Sequence, residues 1–182
     1  MQPRAPAGRN MSEHIELVRP TLALGDDFRA LAEEFLAQGD SRYRDAAHDV
    51  FAFVEMCRDH SAGRNLPADG VPQTTFWLVR DAKRIVGCSR LRHTLTQFLA
   101  ERGGHIGYDV RPSERRQGYG TRLLQLTLAE ARRIGLTRLL ITADDDNVAS
   151  WRIIEKNGGQ CEPSPLMTEA GALRRYWIDT TA

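Results

Sequence analysis

HIGYDVRPSERRQGYGTRLL, residues 105–124, is the stretch on which the fold turns. An apolar run ends at Val110, the chain passes through charge and two glycines, and from Thr121 the leucines fall at helical spacing. A strand that hands over to a helix in this way leaves backbone N–H groups without partners at the helix start, and those groups attract anions. Gly118 and Gly120 remove side chains that would hold a ligand off the backbone, while Arg115 and Arg116 add positive charge beside it. A pyrophosphate suits such a nest. For an isolated G-x-G, a plain glycine turn with solvated arginines around it is the favoured account.

Outward from this stretch the periodicity alternates between strand and helix. HIELVRP (14–20) reads as a short strand, and Phe28, Leu31, Ala32, Phe35 and Leu36 share one helix face. Ala47, Val50, Phe51, Val54 and Cys57 repeat that spacing in a second helix, which SAGRNLPADGVPQ stops. TTFWLVRD and RIVGCSRLRH form a hairpin about DAK, and TLTQFLAERGG is partly helical. HIGYDV is a strand, residues 121–134 are a helix burying Leu124, Leu128 and Ala131, and TRLLITA is a strand. NVASWRIIEKNGG is a helix begun by the acids at 144–146 and closed by glycine, and QCE and RRYWIDT are the last strands, joined by PSPLMTEAGAL. The order is that of one α/β layered domain over residues 14–182, behind an unstructured tail at 1–13.

Bulk properties narrow the function. A chain of 182 residues with 41% hydrophobic content holds one core, and a net charge of +1 gives no global field for nucleic acid or membrane surfaces. Arg115, Arg116, Arg122, Arg132 and Arg133 raise the idea of nucleic acid, but no reading motif accompanies them, so no nucleic-acid and no membrane partner is expected. Cys57, Cys88 and Cys161 are odd in number and far apart, which suits core packing in a reducing compartment and neither disulfides nor a metal site. MQPRAPAGRN lacks the apolar core of a secretion signal, and a cytoplasmic location is expected.

RRQGYGT resembles the [Q/R]-x-x-G-x-[G/A] element of the GNAT acyltransferases, at Arg115, Gly118 and Gly120, and GYDVRP and DDNVASWRIIEKNGG resemble that family's fourth strand and following Asn-started helix. The resemblance is strong over residues 105–159 and rests on topology before residue 74. It implies the GNAT acyl-CoA N-acyltransferase fold, a central mixed twisted sheet of about six to seven strands flanked by helices, and acetyl-coenzyme A (acetyl-CoA) as donor with no metal. It further implies that backbone amides of Gln117, Gly118, Tyr119, Gly120 and Thr121 hold the pyrophosphate near Arg115 and Arg116. The fourth and fifth strands would splay, with Asp109, Val110 and Arg111 offering backbone groups to the pantetheine arm, and the Val110 amide facing the thioester carbonyl. Asn147 matches the helix-start Asn that bonds this arm, with a simple cap as the alternative.

The implied reaction is acetyl transfer to a primary amine by direct attack, for which alignment supplies much of the rate. His105 stands where many relatives place a Glu base, and an imidazole accepts protons near neutrality; Glu101 and Tyr108 are the alternatives. Where relatives carry an acidic Tyr, seven residues after the Asn, this chain has Ile154, which leaves Ser150 and Tyr176 as candidate acids, or solvent. Phe76, Trp77, His93, Tyr176 and Trp177 are either acceptor-pocket walls or core. A small amine is the expected acceptor, a protein or peptide amine the alternative, and non-catalytic coenzyme A binding a third reading. A homodimer stays open.

Overall fold

The computed structural model describes residues 13–168 and 171–181; the tail expected over 1–13 lies outside them except for Glu13. The chain begins with β1 (Ile15–Val18) and continues through α1 (Gly25–Leu36), α2 (Arg44–His48) and α3 (Val50–Ser61). It returns as β2 (Gln73–Arg80) and β3 (Arg84–Arg92), then α4 (Gln97–Arg102), β4 (Ile106–Val110) and the long α5 (Tyr119–Arg133). β5 (Arg138–Asp144), α6 (Val148–Lys156), β6 (Gln160–Cys161), β7 (Leu166–Thr168) and β8 (Gly171–Asp179) complete it.

Two antiparallel sheets carry these elements. The first has the order β1-β2-β3-β4, the second β5-β8-β6 with β7 also on β8. β2 is buried on both faces, hence its unbroken apolar run. Trp77 and Val79 pack with Phe28, Leu31, Val50 and Val54 of α1 and α3, while Phe76 and Leu78 alternate to the other face, among residues packed with Leu124 and Leu123 of α5. The turn between β2 and β3 holds Asp81 and Ala82 at φ of 52° and 57°.

The single helix expected around Val50 is two helices. Asp49 takes a non-helical conformation and its carboxylate accepts a bond from Ala52 N–H at 2.9 Å, capping α3. Phe51 is thereby turned outward, 63% exposed. β7 adds a strand where a connection was expected, and Cys161, unlike buried Cys57 and Cys88, is exposed.

β4 and β5 meet only at their beginnings. His105 N–H donates to Leu140 O at 2.6 Å, and Leu140 N–H donates to His105 Nδ1 at 2.9 Å. Beyond that junction no ladder joins them among the described residues, and the sheets part.

Candidate functional site

The parting sheets leave a groove of about 660 Å³. Its floor is the end of β4 and the start of α5, one wall is α6, and the other is the segment from Phe35 to Arg42 between α1 and α2. The register of β4 decides which backbone groups reach it. Arg92 N–H donates to His105 O at 2.8 Å and Arg111 N–H donates to Val86 O at 3.0 Å, so the carbonyl of His105, both groups of Gly107 and Asp109 and the N–H of Arg111 bond to β3. Alternation in an antiparallel ladder then turns the N–H and C=O of Tyr108 and Val110 toward the groove. Asp109, expected to offer backbone groups there, spends them on β3, and Arg111 spends its N–H on β3 and its carbonyl on Glu114 N–H at 2.9 Å.

The start of α5 is a nest of open donors. Gly118 precedes the helix at φ 88°, no side chain caps it, and the first intrahelical bond runs from Arg122 N–H to Gly118 O at 3.2 Å. The N–H groups of residues 118–121 precede that bond and are left for a ligand. Arg116, at φ 65°, also has left-handed backbone, and such alternations curl successive N–H groups around an anion. The two glycines serve different ends. A Cβ on Gly118 would meet nothing within 4 Å, so glycine is needed there for conformation. A Cβ on Gly120 would lie 2.6 Å from Ile153 Cδ1 and 3.3 Å from Val110 Cγ2, so that glycine lets α5 approach α6 and β4.

Tyr108, Asp109, Val110, Arg115, Arg116, Gly118, Gly120, Thr121, Asn147 and Ser150 all line the groove. The Tyr108 hydroxyl donates to Ser150 O at 3.1 Å and stands 2.8 Å from Ser150 Oγ, and burial pushes its pKa up to about 12. Asn147 caps α6, its Oδ1 accepting from Ser150 N–H at 3.0 Å. Asp109 accepts from Arg42, from the Tyr43 hydroxyl at 2.8 Å and from Arg90 at 3.0 Å.

Three expected residues stand apart: His105, Tyr176 and Arg111. His105 is half-buried at the sheet junction; with Nδ1 accepting from Leu140 N–H, the neutral ring carries its proton on Nε2 and has no lone pair for an amine's proton. Burial holds its pKa below the ordinary range, with help from Arg92. Tyr176 is fully buried in the core, its hydroxyl 3.4 Å from Glu155. Arg111 is 1% exposed and locked to Glu34 Oε1 at 2.7 Å and both Asp27 oxygens at 3.0 Å. Gln117 and Tyr119, expected to offer only backbone amides, turn their side chains away from the groove, Gln117 to Glu114 and the Tyr119 hydroxyl to Arg80 and Glu13. Glu101, the alternative base, is exposed and accepts from Gln97 at 3.2 Å. None of Phe76, Trp77, His93, Tyr176 and Trp177 lines the groove.

Sequence reasoning missed much of both walls. On α6, Ala149, Arg152, Ile153 and Lys156 face the groove, a three-and-four spacing that a search for a basic stripe would have found. Phe35, Asp40 and Arg42 come from far away in the chain and carry no local signal. The lining holds five cationic side chains, Arg42, Arg115, Arg116, Arg152 and Lys156, against two carboxylates, Asp40 and Asp109. That surplus suits an anionic ligand.

Comparison with known proteins agrees with this architecture. Residues 30–159 match the model of the acetyltransferase (GNAT) family. No curated protein matches by sequence. Among solved structures, the chain is similar to the microcin C7 self-immunity acetyltransferase MccE in complex with acetyl-CoA and AMP, at 15% identity and a TM-score of 0.69 over 96% of this chain and 97% of that one. It is similar to the Salmonella typhimurium acetyltransferase that modifies the N-terminal serine of ribosomal protein L7/L12, at 15% identity and a TM-score of 0.64, covering 91% and 94%. It is also similar to the Vibrio cholerae spermidine N-acetyltransferase bound to CoA and spermine, at 12% identity and a TM-score of 0.62, covering 92% and 96%.

Proposed function

The chain belongs to the GNAT family of acetyltransferases, and from that premise we propose that it transfers the acetyl group of acetyl-CoA to a primary amine of a small molecule. One observation carries the reading: the uncapped, glycine-opened start of α5 and the unpaired edge of β4 border a single groove. Backbone N–H groups of residues 118–121 and the side chains of Arg116, Arg152 and Lys156 hold the phosphates, and Val110 and Tyr108 offer the edge groups that the amide-bearing arm needs. Acetyl-CoA supplies an acetyl group already activated as a thioester.

The chain's own residues align and exchange protons. Val110 adjoins the nest, since its Cγ2 lies 3.3 Å from where a Gly120 Cβ would stand, and Tyr108 is one ladder step further along β4. This order favours the Tyr108 N–H over that of Val110 as donor to the developing oxyanion. The Tyr108 hydroxyl, kept protonated by burial, turns its proton from Ser150 O to the departing thiolate, and the Ser150 hydroxyl at 2.8 Å donates to the phenolate left behind. His105 holds the sheet junction, and solvent receives the amine's proton. Asp40, on the wall opposite α6, and Asp109, on the floor, are the carboxylates that an acceptor arriving as a cation would meet, in competition with Arg42.

Thiol release from acetyl-CoA, measured against amino acids, polyamines, aminoglycosides and short peptides, tests the reading. Small amines are expected to give turnover, and Tyr108→Phe to lower it by about 100-fold with coenzyme A affinity unchanged. Turnover with peptides alone replaces the small-molecule acceptor with a protein one. Binding without thiol release from any amine leaves a non-catalytic binder.

A further inference from the structure

The geometry points to a latch between the phosphate nest and the α1–α2 wall, made by Arg115 and Gln38. Arg115 begins beside the nest, yet its guanidinium is committed elsewhere. Nε donates to Val110 O at 3.3 Å, Nη1 donates to Gln38 Oε1 at 2.8 Å, and the cation stands 5.7 Å from the centre of the Phe35 ring. Phe35 is in the last turn of α1 and Gln38 just beyond it. Arg42, further along the same segment, stands 5.7 Å from the same ring and bonds Asp40 and Asp109. One arginine therefore ties the wall to the floor of the groove and covers the Val110 carbonyl that faces it.

The latch rests on the cofactor reading above, which asks for both things Arg115 now withholds. An amide N–H of a chain lying along β4 needs the Val110 carbonyl, and a pyrophosphate at residues 118–121 draws a guanidinium more strongly than a neutral amide oxygen does. Both demands pull Arg115 off Gln38. Cofactor occupancy then frees the wall that carries Asp40 and Arg42, so the acceptor side of the groove changes state when the donor side fills. Linkage fixes the sign: a contact made only in the free protein opposes ligand binding, and its removal tightens binding.

Calorimetric titration of coenzyme A into wild type, Gln38→Leu, Arg115→Ala and the double variant tests this. Gln38 and Arg115 are exposed, so each variant folds. Gln38→Leu is expected to tighten binding by about two- to five-fold, the net worth of one solvent-accessible hydrogen bond. Arg115→Ala is expected to weaken binding, and the double variant to bind as Arg115→Ala does. Hydrogen exchange at residues 36–43 is expected to speed up on binding in wild type and to stay unchanged in Arg115→Ala. Unaltered or weaker binding by Gln38→Leu overturns the latch, as does equal tightening in the Arg115→Ala background. A wild type that binds no coenzyme A sinks the cofactor reading and the latch with it, whereas normal binding with a null cycle sinks the latch alone.

Discussion

Alanine at position 120 tests whether the second glycine of the nest serves the ligand or the fold. The new Cβ would stand 2.6 Å from Ile153 Cδ1 and 3.3 Å from Val110 Cγ2, so the end of Ile153 must swing away. Overpacking of this kind costs about 1–3 kcal/mol, and the better helix propensity of alanine returns less than about 1 kcal/mol. A net loss of about 1–2 kcal/mol is expected, or a fall in Tm of about 2–8 °C for a domain of this size. The remedy follows from the same distances. Ile153→Val deletes the clashing Cδ1 and leaves 3.3 Å and 3.5 Å as the nearest approaches. Alone it should cost about 0.5–1.5 kcal/mol; in the Gly120→Ala background it should cost nothing or stabilise. Urea unfolding of the four proteins gives the coupling directly, and coenzyme A affinity should recover along with stability. Strictly additive costs would refute the packing explanation. Gly118→Ala is the contrast, since its penalty of about 1–2 kcal/mol is conformational and no neighbouring substitution relieves it.

Two further expectations concern residues the site does without. Burial keeps His105 neutral, so its folded pKa lies below the ordinary 6.5; as pH falls, the unfolded chain takes up the proton first and stability is lost below that value. His105→Asn, which keeps an oxygen for Leu140 N–H, should lose less stability between about pH 7.5 and about pH 5 in urea midpoints; an unchanged pH dependence would remove His105 as its source, leaving His93, whose pKa burial also lowers. Arg111→Met should destabilise by about 2–4 kcal/mol, because Asp27 and Glu34 lose the nearer of their two shared cations, keeping Arg84 at 3.4 Å and some solvent. Its folded fraction should bind coenzyme A as wild type does, and Glu34→Gln should be milder in the same unfolding assay; weakened binding by the folded fraction would restore Arg111 to the ligand site.

The nest was legible because its whole physics lies within a dozen residues: strand end, positive φ at Gly118, open helix start. The hairpin of β2 and β3 was legible for the same local reason. The break at Asp49 was hidden, since the three-and-four spacing of Ala47, Val50 and Val54 runs straight through it. Which of residues 108–111 face the groove depends on the pairing of β4 with β3, and a single strand does not reveal its own register. The proton position on His105 is set by Leu140, 35 residues away, and the carboxylate pair of the groove by a contact between Arg42 and Asp109, 67 residues apart. Local chemistry was readable; whatever depended on which distant residue arrives was not.

The parting of the two sheets has a bearing on solubility. An unpaired strand edge on a protein's exterior invites a second chain to add itself, the usual seed of aggregation. Here the bare edge of β4 lies between α6 on one side and the Phe35 to Arg42 segment on the other, at the bottom of a cleft. A flexible, chain-like molecule with amides along its length can slip into that cleft; the broad pleat of another protein's strand, flanked by its own neighbours, cannot. The protein thus keeps a strand's appetite for hydrogen bonds while screening who may satisfy it.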